Sequence, residues 1–273
     1  MMKVWENVKY GLPIEGVRII DSHGHCGPYS DFYIPREASP DTIVELLDNL
    51  GVECTFLSAN VAFKSDFARG NAYLAEGIEK HPGRIYGYVC LNPVYADEMI
   101  PELEKYKNNP GFKGIKFHIS INKTPFSSYK YEPAYKYAAE RNLPILHHTY
   151  GADALLSLAA AAKQYPDTTF IAAHSEVGID SVERIGDAVN SLDNFYIDTA
   201  LAGASEGSIE LLCKYVDTKK ILFGTDGRLS VSVEEIGEKS MSFNYEVICG
   251  VSRRIPRVYK KDGKIIKTVN YLR

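Results

Sequence analysis

Short unbroken apolar runs alternate along this chain with longer stretches in which apolar residues recur at helical spacing. A run of the first kind reads as a strand buried on both faces, a stretch of the second kind as a helix with one buried face. Val17 to Asp21 is the first such strand, and Thr42 to Asn49, capped by Ser39-Pro40-Asp41 and stopped at Gly51, is the first helix. The alternation then predicts strands at Val52–Leu57, Ile85–Leu91, Gly114–Ile119, Leu143–His148, Thr169–His174, Phe195–Asp198 and Ile221–Thr225. Helices are predicted between them, at about 66–80, 96–107, 132–140, 152–164, 181–189 and 208–215. Strands alternating with helices imply a parallel sheet, and this many repeats suit a closed (β/α)8 TIM barrel of the α/β class. The competing architecture is an open doubly wound sheet, which usually carries a Gly-x-Gly-x-x-Gly turn that this chain lacks.

Past Asp226 the rhythm stops. Only Val233 to Ser240 offers an eighth helix, and Val258 to Ile266 reads as a hairpin closed by Asp262-Gly263. This last stretch is basic, with Asp262 the single acid after Val251. The reading is a single barrel domain over 1–273, with 229–273 as an atypical C-terminal segment that leaves room for a homodimer contact.

Composition narrows the function classes. The 273 residues are 45% hydrophobic and 24% charged, enough apolar material for one sizeable core. A net charge of -4 gives no electrostatic case for nucleic acid, and no run reaches the length of a membrane span. Five scattered cysteines without a Cys-x-x-Cys, and an N-terminus without a signal-peptide core, point to the cytoplasm.

The chemistry gathers at strand ends. His23 and His25 are one residue apart and would share a face of a strand. His118, His147, His148 and His174 close three further predicted strands, and Asp226 follows the eighth. In a parallel barrel these ends open on one rim, where imidazoles and a carboxylate together suit a metal ion. Of the adjacent His147 and His148, alternation lets only one face the interior. Lys116 and His118 share a face and offer an anion-binding pair, which Arg228 would join. Gly203 to Gly207 matches a nucleophile elbow, yet no histidine follows it, and Cys26 reads as a packed thiol.

Asp21-Ser22-His23-Gly24-His25, Gly114-Ile115-Lys116-Phe117-His118, Pro144 to Thr149, Ala173-His174 and Phe223-Gly224-Thr225-Asp226 together resemble the amidohydrolase superfamily. The resemblance runs from about Val17 to Arg228 and is nearest to the amidohydrolase-related branch that includes aminocarboxymuconate-semialdehyde decarboxylase-like enzymes. It implies one divalent ion, usually zinc, held by His23, His25, His148 and Asp226. His174 would assist in activating water, with Asp226 as the other proton acceptor. The strand-four position carries no acid, unlike the related nucleases that use a glutamate there, while a carbamylated Lys116 bridging two ions stays open. The implied reaction is hydrolysis of a small, anionic amide, lactone or ester. Non-oxidative decarboxylation would use the same ligands, and a non-catalytic binding protein on a barrel scaffold is the reading of another class. The segments 27–36 and 120–131 are read as the pocket lid.

Overall fold

A computed structural model describes residues 13–14, 16–27, 38–64, 66–175, 181–200, 207–226, 257–261 and 264–269. Strand β1 (Ile20–Cys26) leads to helix α1 (Pro40–Leu50), β2 (Cys54–Ala59), the short α2 (Asn60–Lys64), α3 (Phe67–Lys80) and β3 (Ile85–Cys90). Next come α4 (Ala96–Tyr106), β4 (Phe112–His118), the short α5 (Ile119–Asn122), α6 (Glu132–Glu140) and β5 (Ile145–His148). The repeat ends with α7 (Gly151–Ala162), β6 (Phe170–Ala173), α8 (Val182–Asn190), β7 (Phe195–Asp198), α9 (Ser208–Tyr215) and β8 (Ile221–Leu222). β9 (Arg257–Lys261) and β10 (Lys264–Val269) form a separate antiparallel pair, on either side of the Asp262-Gly263 at which the sequence predicts a hairpin turn and which lies outside the described residues.

The first eight strands lie side by side in chain order and every neighbouring pair is parallel. The ends of this sheet meet. Ser22 N–H donates to the Phe223 carbonyl at 2.8 Å, and the Asp226 N–H donates to the His23 carbonyl at 2.7 Å. The sheet is therefore rolled into the (β/α)8 barrel, and the open alternative is excluded.

Local chemistry sets the element ends. Ser39 Oγ accepts from the Thr42 N–H at the start of α1, where Pro40 occupies the first turn and costs no hydrogen bond. Gly51 ends that helix at φ 69°, a left-handed conformation open to glycine at little cost. The Asp66 carboxylate caps α3 by accepting from the Arg69 N–H at 2.9 Å. Most of the core lies between strands and helices. A smaller cluster of Tyr88, Leu146, Ile171 and Ala173 belongs to side chains of the opposite strand face, which fill the barrel. Among the described residues no helix is long and apolar enough to cross a membrane.

Two strand ends and one expected lid residue depart from the sequence expectation. β1 does not end at Asp21 but runs on through both histidines to Cys26, with a bulge between Asp21 and Gly24. Its polar side chains are tolerated in a buried strand because each finds a partner inside. β8 is two residues long, and Phe223 to Asp226 turns its backbone to β1 instead. Tyr131, expected in a lid, is fully buried, its hydroxyl donating to the Thr124 carbonyl at 2.9 Å. Residues 28–36 of the expected lid, the Val233–Ser240 helix and most of the Gly203–Gly207 motif lie outside the described residues.

Candidate metal centre

His23 and His25 point the same way from β1, as their spacing requires. The His23 ring is fully buried. Its Nδ1 lies 2.8 Å from Asp198 Oδ2 at the end of β7, so Nδ1 carries the proton and Nε2 keeps its lone pair. His25 Nδ1 is 2.9 Å from Ser58 Oγ, with Nε2 turned to the rim. Gly24 between them has no room for a side chain, since a Cβ there would stand 2.6 Å from Leu57 Cδ2 and 2.9 Å from Thr55 Oγ1.

Asp226 arrives from beyond β8 in a left-handed conformation, φ 62°, and His174 leaves β6 at φ 60°. Both are uncommon for residues with a side chain and put their side chains where a regular strand would not. Asp226 Oδ1 is then the meeting point. It lies 3.1 Å from His25 Nε2, 3.6 Å from His23 Nε2 and 3.7 Å from His174 Nε2. His174 Nδ1 faces the Ala200 carbonyl at 2.7 Å; a carbonyl only accepts, so Nδ1 is protonated and Nε2 again has the free lone pair.

The donor set fits a divalent ion. Atoms held by bonds of about 2.05 Å at tetrahedral angles stand about 3.3 Å apart, close to the separations around Asp226 Oδ1. His23, His174 and Asp226 form the group whose donor atoms all approach one another within 4.8 Å. Protonation states agree. Burial holds His23 well below the usual imidazole range and lowers His174 too, so both are neutral. Burial alone would raise Asp226. The hydrogen bond from His25 and the neighbouring imidazoles override it and leave the carboxylate ionised.

Further rings close a collar. His174 packs on His148 at 4.6 Å between centroids, and His148 stacks on His118 at 3.8 Å. His118 meets Phe63 at 5.1 Å, and Phe63 meets His25 at 5.3 Å. His25 and His174 each lie 5.1 Å from His23. His148 thus borders the group around Asp226 through its ring contact with His174. His147 faces the other way, stacked on Phe117 at 5.1 Å, with Tyr135 Oη 3.0 Å from its Nε2. Alternation along β5 decides this, as the sequence anticipated.

Lys116 lies within the collar, 1% exposed, its Nζ 2.9 Å from His23 Nε2. Burial pulls this ammonium down to about 8, partly offset by the charges of Asp198 and Asp226. His118 Nδ1 is buried without a hydrogen-bond partner, and burial together with Lys116 keeps the ring neutral. Arg228 lies outside the described residues. Cys26 is a buried free thiol pushed up by burial, as its sequence context suggests.

Three residues escaped the sequence reading. Phe63 sits on α2, a helix too short to leave a periodic signal. Asp198 ends β7 in the same position as the histidines of β4 and β5, which was the available signal. Asp21 accepts from the His23 and Thr225 backbone N–H groups at 3.2 and 3.0 Å and from the Thr55 and Thr225 hydroxyls at 2.9 and 2.8 Å.

A family model described as amidohydrolase matches residues 20–238. Among solved structures, the chain is similar to a probable 2-pyrone-4,6-dicarboxylic acid hydrolase of Acinetobacter baumannii with citric acid bound, at 16% identity and TM-score 0.59 over 77% of this chain and 84% of that one. It is similar to the 4-oxalomesaconate hydratase of Rhodopseudomonas palustris, at 19% identity and TM-score 0.57 over 76% and 81%. A dihydroxybenzoic acid decarboxylase of a Polaromonas species, with manganese and 2-nitroresorcinol bound, matches at 18% identity and TM-score 0.60 over 80% and 89%. These likenesses are likenesses of fold. A stretch of 57 residues is 42% identical to the alanine racemase of Clostridium novyi and covers 21% of this chain, which spans only 15% of that relative's length.

Proposed function

Because the chain belongs to the amidohydrolase family, whose members are enzymes that bind a divalent metal, we propose that it is a metal-dependent hydrolase of a small amide, lactone or ester. The observation that carries this reading is the convergence of the His23 and His25 Nε2 atoms on the ionised Asp226 Oδ1, with Nε2 of His174, the base of this reading, beside them. In this reading His23, His25, His148 and Asp226 hold one ion. Zinc is the choice because three imidazoles and a carboxylate suit it better than a hard, oxygen-seeking cation. When bound, the ion supplies Lewis acidity, which polarises a carbonyl and makes water nucleophilic near neutral pH.

The remaining work falls to the chain's own groups. His174 takes the proton of the attacking water at Nε2, because its Nδ1–H is committed to the Ala200 carbonyl. Burial, by keeping that ring neutral, leaves it able to do so. Asp226 is the second acceptor within reach. Lys116 and His118 orient an anionic group of the substrate, with Arg228 as a further contact. A buried ammonium hydrogen-bonded to an imidazole nitrogen would gain from a carboxylate brought in by the substrate. That same ammonium favours a second reading, non-oxidative decarboxylation, in which the carboxylate held by Lys116 is the group that leaves. The free thiols at Cys26, Cys54, Cys90 and Cys213 support a reducing, cytoplasmic setting.

Elemental analysis of protein purified without added metal tests the site. About one divalent ion per chain is expected, with loss of the ion in His23→Ala and Asp226→Ala. Absence of metal after soaking with zinc overturns the reading. On the loaded enzyme, release of an acid from lactones or amides separates hydrolysis from the carbon dioxide that decarboxylation would give.

A further inference from the structure

Asp198 is fully buried at the end of β7, and its two oxygens divide their work. Oδ2 lies 2.8 Å from His23 Nδ1. Oδ1 accepts from the backbone N–H groups of His174 at 2.9 Å and Ala200 at 3.1 Å. The Ala200 carbonyl in turn faces His174 Nδ1 at 2.7 Å. One carboxylate thus touches β1 through a side chain and β6 through the backbone, and accepts from the N–H of the residue whose carbonyl faces the second imidazole.

We infer that Asp198 is a positioning residue that sets the tautomer of His23 and braces the backbone of His174 and Ala200, so that both Nε2 lone pairs face the rim. This rests on the metal-site reading above and adds to it the group that prepares one ligand, His23, and steadies the base, His174. The physical reason is the donor count. A carboxylate has only lone pairs to offer, so every group facing it must present a hydrogen. His23 then protonates at Nδ1 and keeps Nε2 free. Buried between three donors, the carboxylate satisfies all of them and needs no water. His174 stands at φ 60°, and the bond from its N–H to Oδ1 helps hold that turn.

Asparagine at this position has nearly the same shape but only one accepting atom. With its oxygen on the two backbone N–H groups, its amide nitrogen faces His23 Nδ1 and donates to it. The imidazole must then carry its own hydrogen on Nε2, the atom that would bind the ion. With the amide reversed, two backbone N–H groups face an NH2 and are left unsatisfied. Two bonds outweigh one, so the first arrangement wins.

The experiment compares wild type with Asp198→Asn by competitive zinc titration and by nitrogen-15 NMR of the histidine rings. Circular dichroism reports whether the fold is kept. Wild type is expected to bind zinc with His23 and His174 protonated at Nδ1. Asp198→Asn is expected to keep its fold, shift the His23 proton to Nε2 and bind zinc about 10- to 100-fold more weakly. Equal zinc affinity with an unchanged His23 tautomer overturns the inference and leaves the metal-site reading intact. Failure of wild type itself to bind zinc overturns the reading and the inference with it. Should the variant not fold, the wild-type spectrum still decides, because a His23 proton on Nε2 before zinc is added contradicts the role given to Asp198.

Discussion

His174 and Asp226 share a feature rare away from glycine, a positive φ, and each reaches the rim because of it. Such conformations cost about 1–3 kcal/mol apiece and persist only where neighbours enforce them. Here the bonds from the His174 N–H to Asp198 and from the Asp226 N–H to the His23 carbonyl do so. The roles of two neighbouring histidines separate in a single comparison. His148→Ala is expected to lower bound metal, whereas His174→Ala is expected to keep most of the metal and lose about 100-fold or more in turnover; metal content and rate on the same samples check this. Asp21 adds a pH signature. Burial lifts its carboxyl to about 6 in the folded state, above its usual 3.8. Between about pH 4 and 6 the folded protein therefore binds a proton that the unfolded chain does not. Its contribution to stability falls as pH rises through that window, by up to about 3 kcal/mol. The stability advantage of wild type over Asp21→Asn should shrink from pH 4 to pH 6, measured by urea unfolding in the presence of a chelator. The candidate ligands were legible because polar residues that interrupt apolar runs stand out. Asp198 was not, because a lone aspartate after a strand looks the same whether it caps a helix or holds two histidines.

Strands and helices of ordinary length were legible almost throughout, and α6, β7 and α9 begin and end where the pattern placed them. Their boundaries are written in local chemistry. Ser39→Ala is expected to cost about 1 kcal/mol through loss of the α1 cap, read from the urea midpoint. α2 and α5 were missed, since four or five residues carry no full period. β1 was truncated for the opposite reason. Period and polarity suggested that the strand had ended, whereas the bulge and the pairing of His25 with Ser58 and Cys26 with Ala59 show that it had not. Gly24 permits this continuation. Gly24→Ala is expected to destabilise the fold by about 1–3 kcal/mol and to reduce metal binding, since the new methyl group must displace Leu57 or the Thr55–Asp21 bond. Denaturant unfolding and metal content together test both effects.

Across the whole barrel, the candidate centre sits where the sheet closes on itself. β1 and the segment after β8 meet through Ser22, His23, Thr225 and Asp226, and Asp21 ties both to Thr55 of β2. An ion shared by β1, β5 and the turn after β8 would brace the seam, and binding that favours the folded state adds stability by mass action. Chelation is therefore expected to lower Tm by several degrees in wild type and to leave the Tm of His23→Ala unchanged, followed by calorimetry with and without added zinc. Among the described residues, the basic C-terminal segment contributes the antiparallel β9–β10 pair.

By itself, the sequence determined the order and period of the elements, and hence a barrel with its polar residues gathered at one rim. Period is a local property, repeated often enough to survive local exceptions. It also determined that only one of His147 and His148 turns inward, because alternation along a strand lets neighbours face opposite ways. Only the tertiary structure decided that Asp226 Oδ1 is where three imidazoles meet, that Lys116 points at His23, and that Asp198 holds His23 and His174 together. These contacts join residues far apart in the chain, and their geometry depends on strand register, on one bulge and on two left-handed turns.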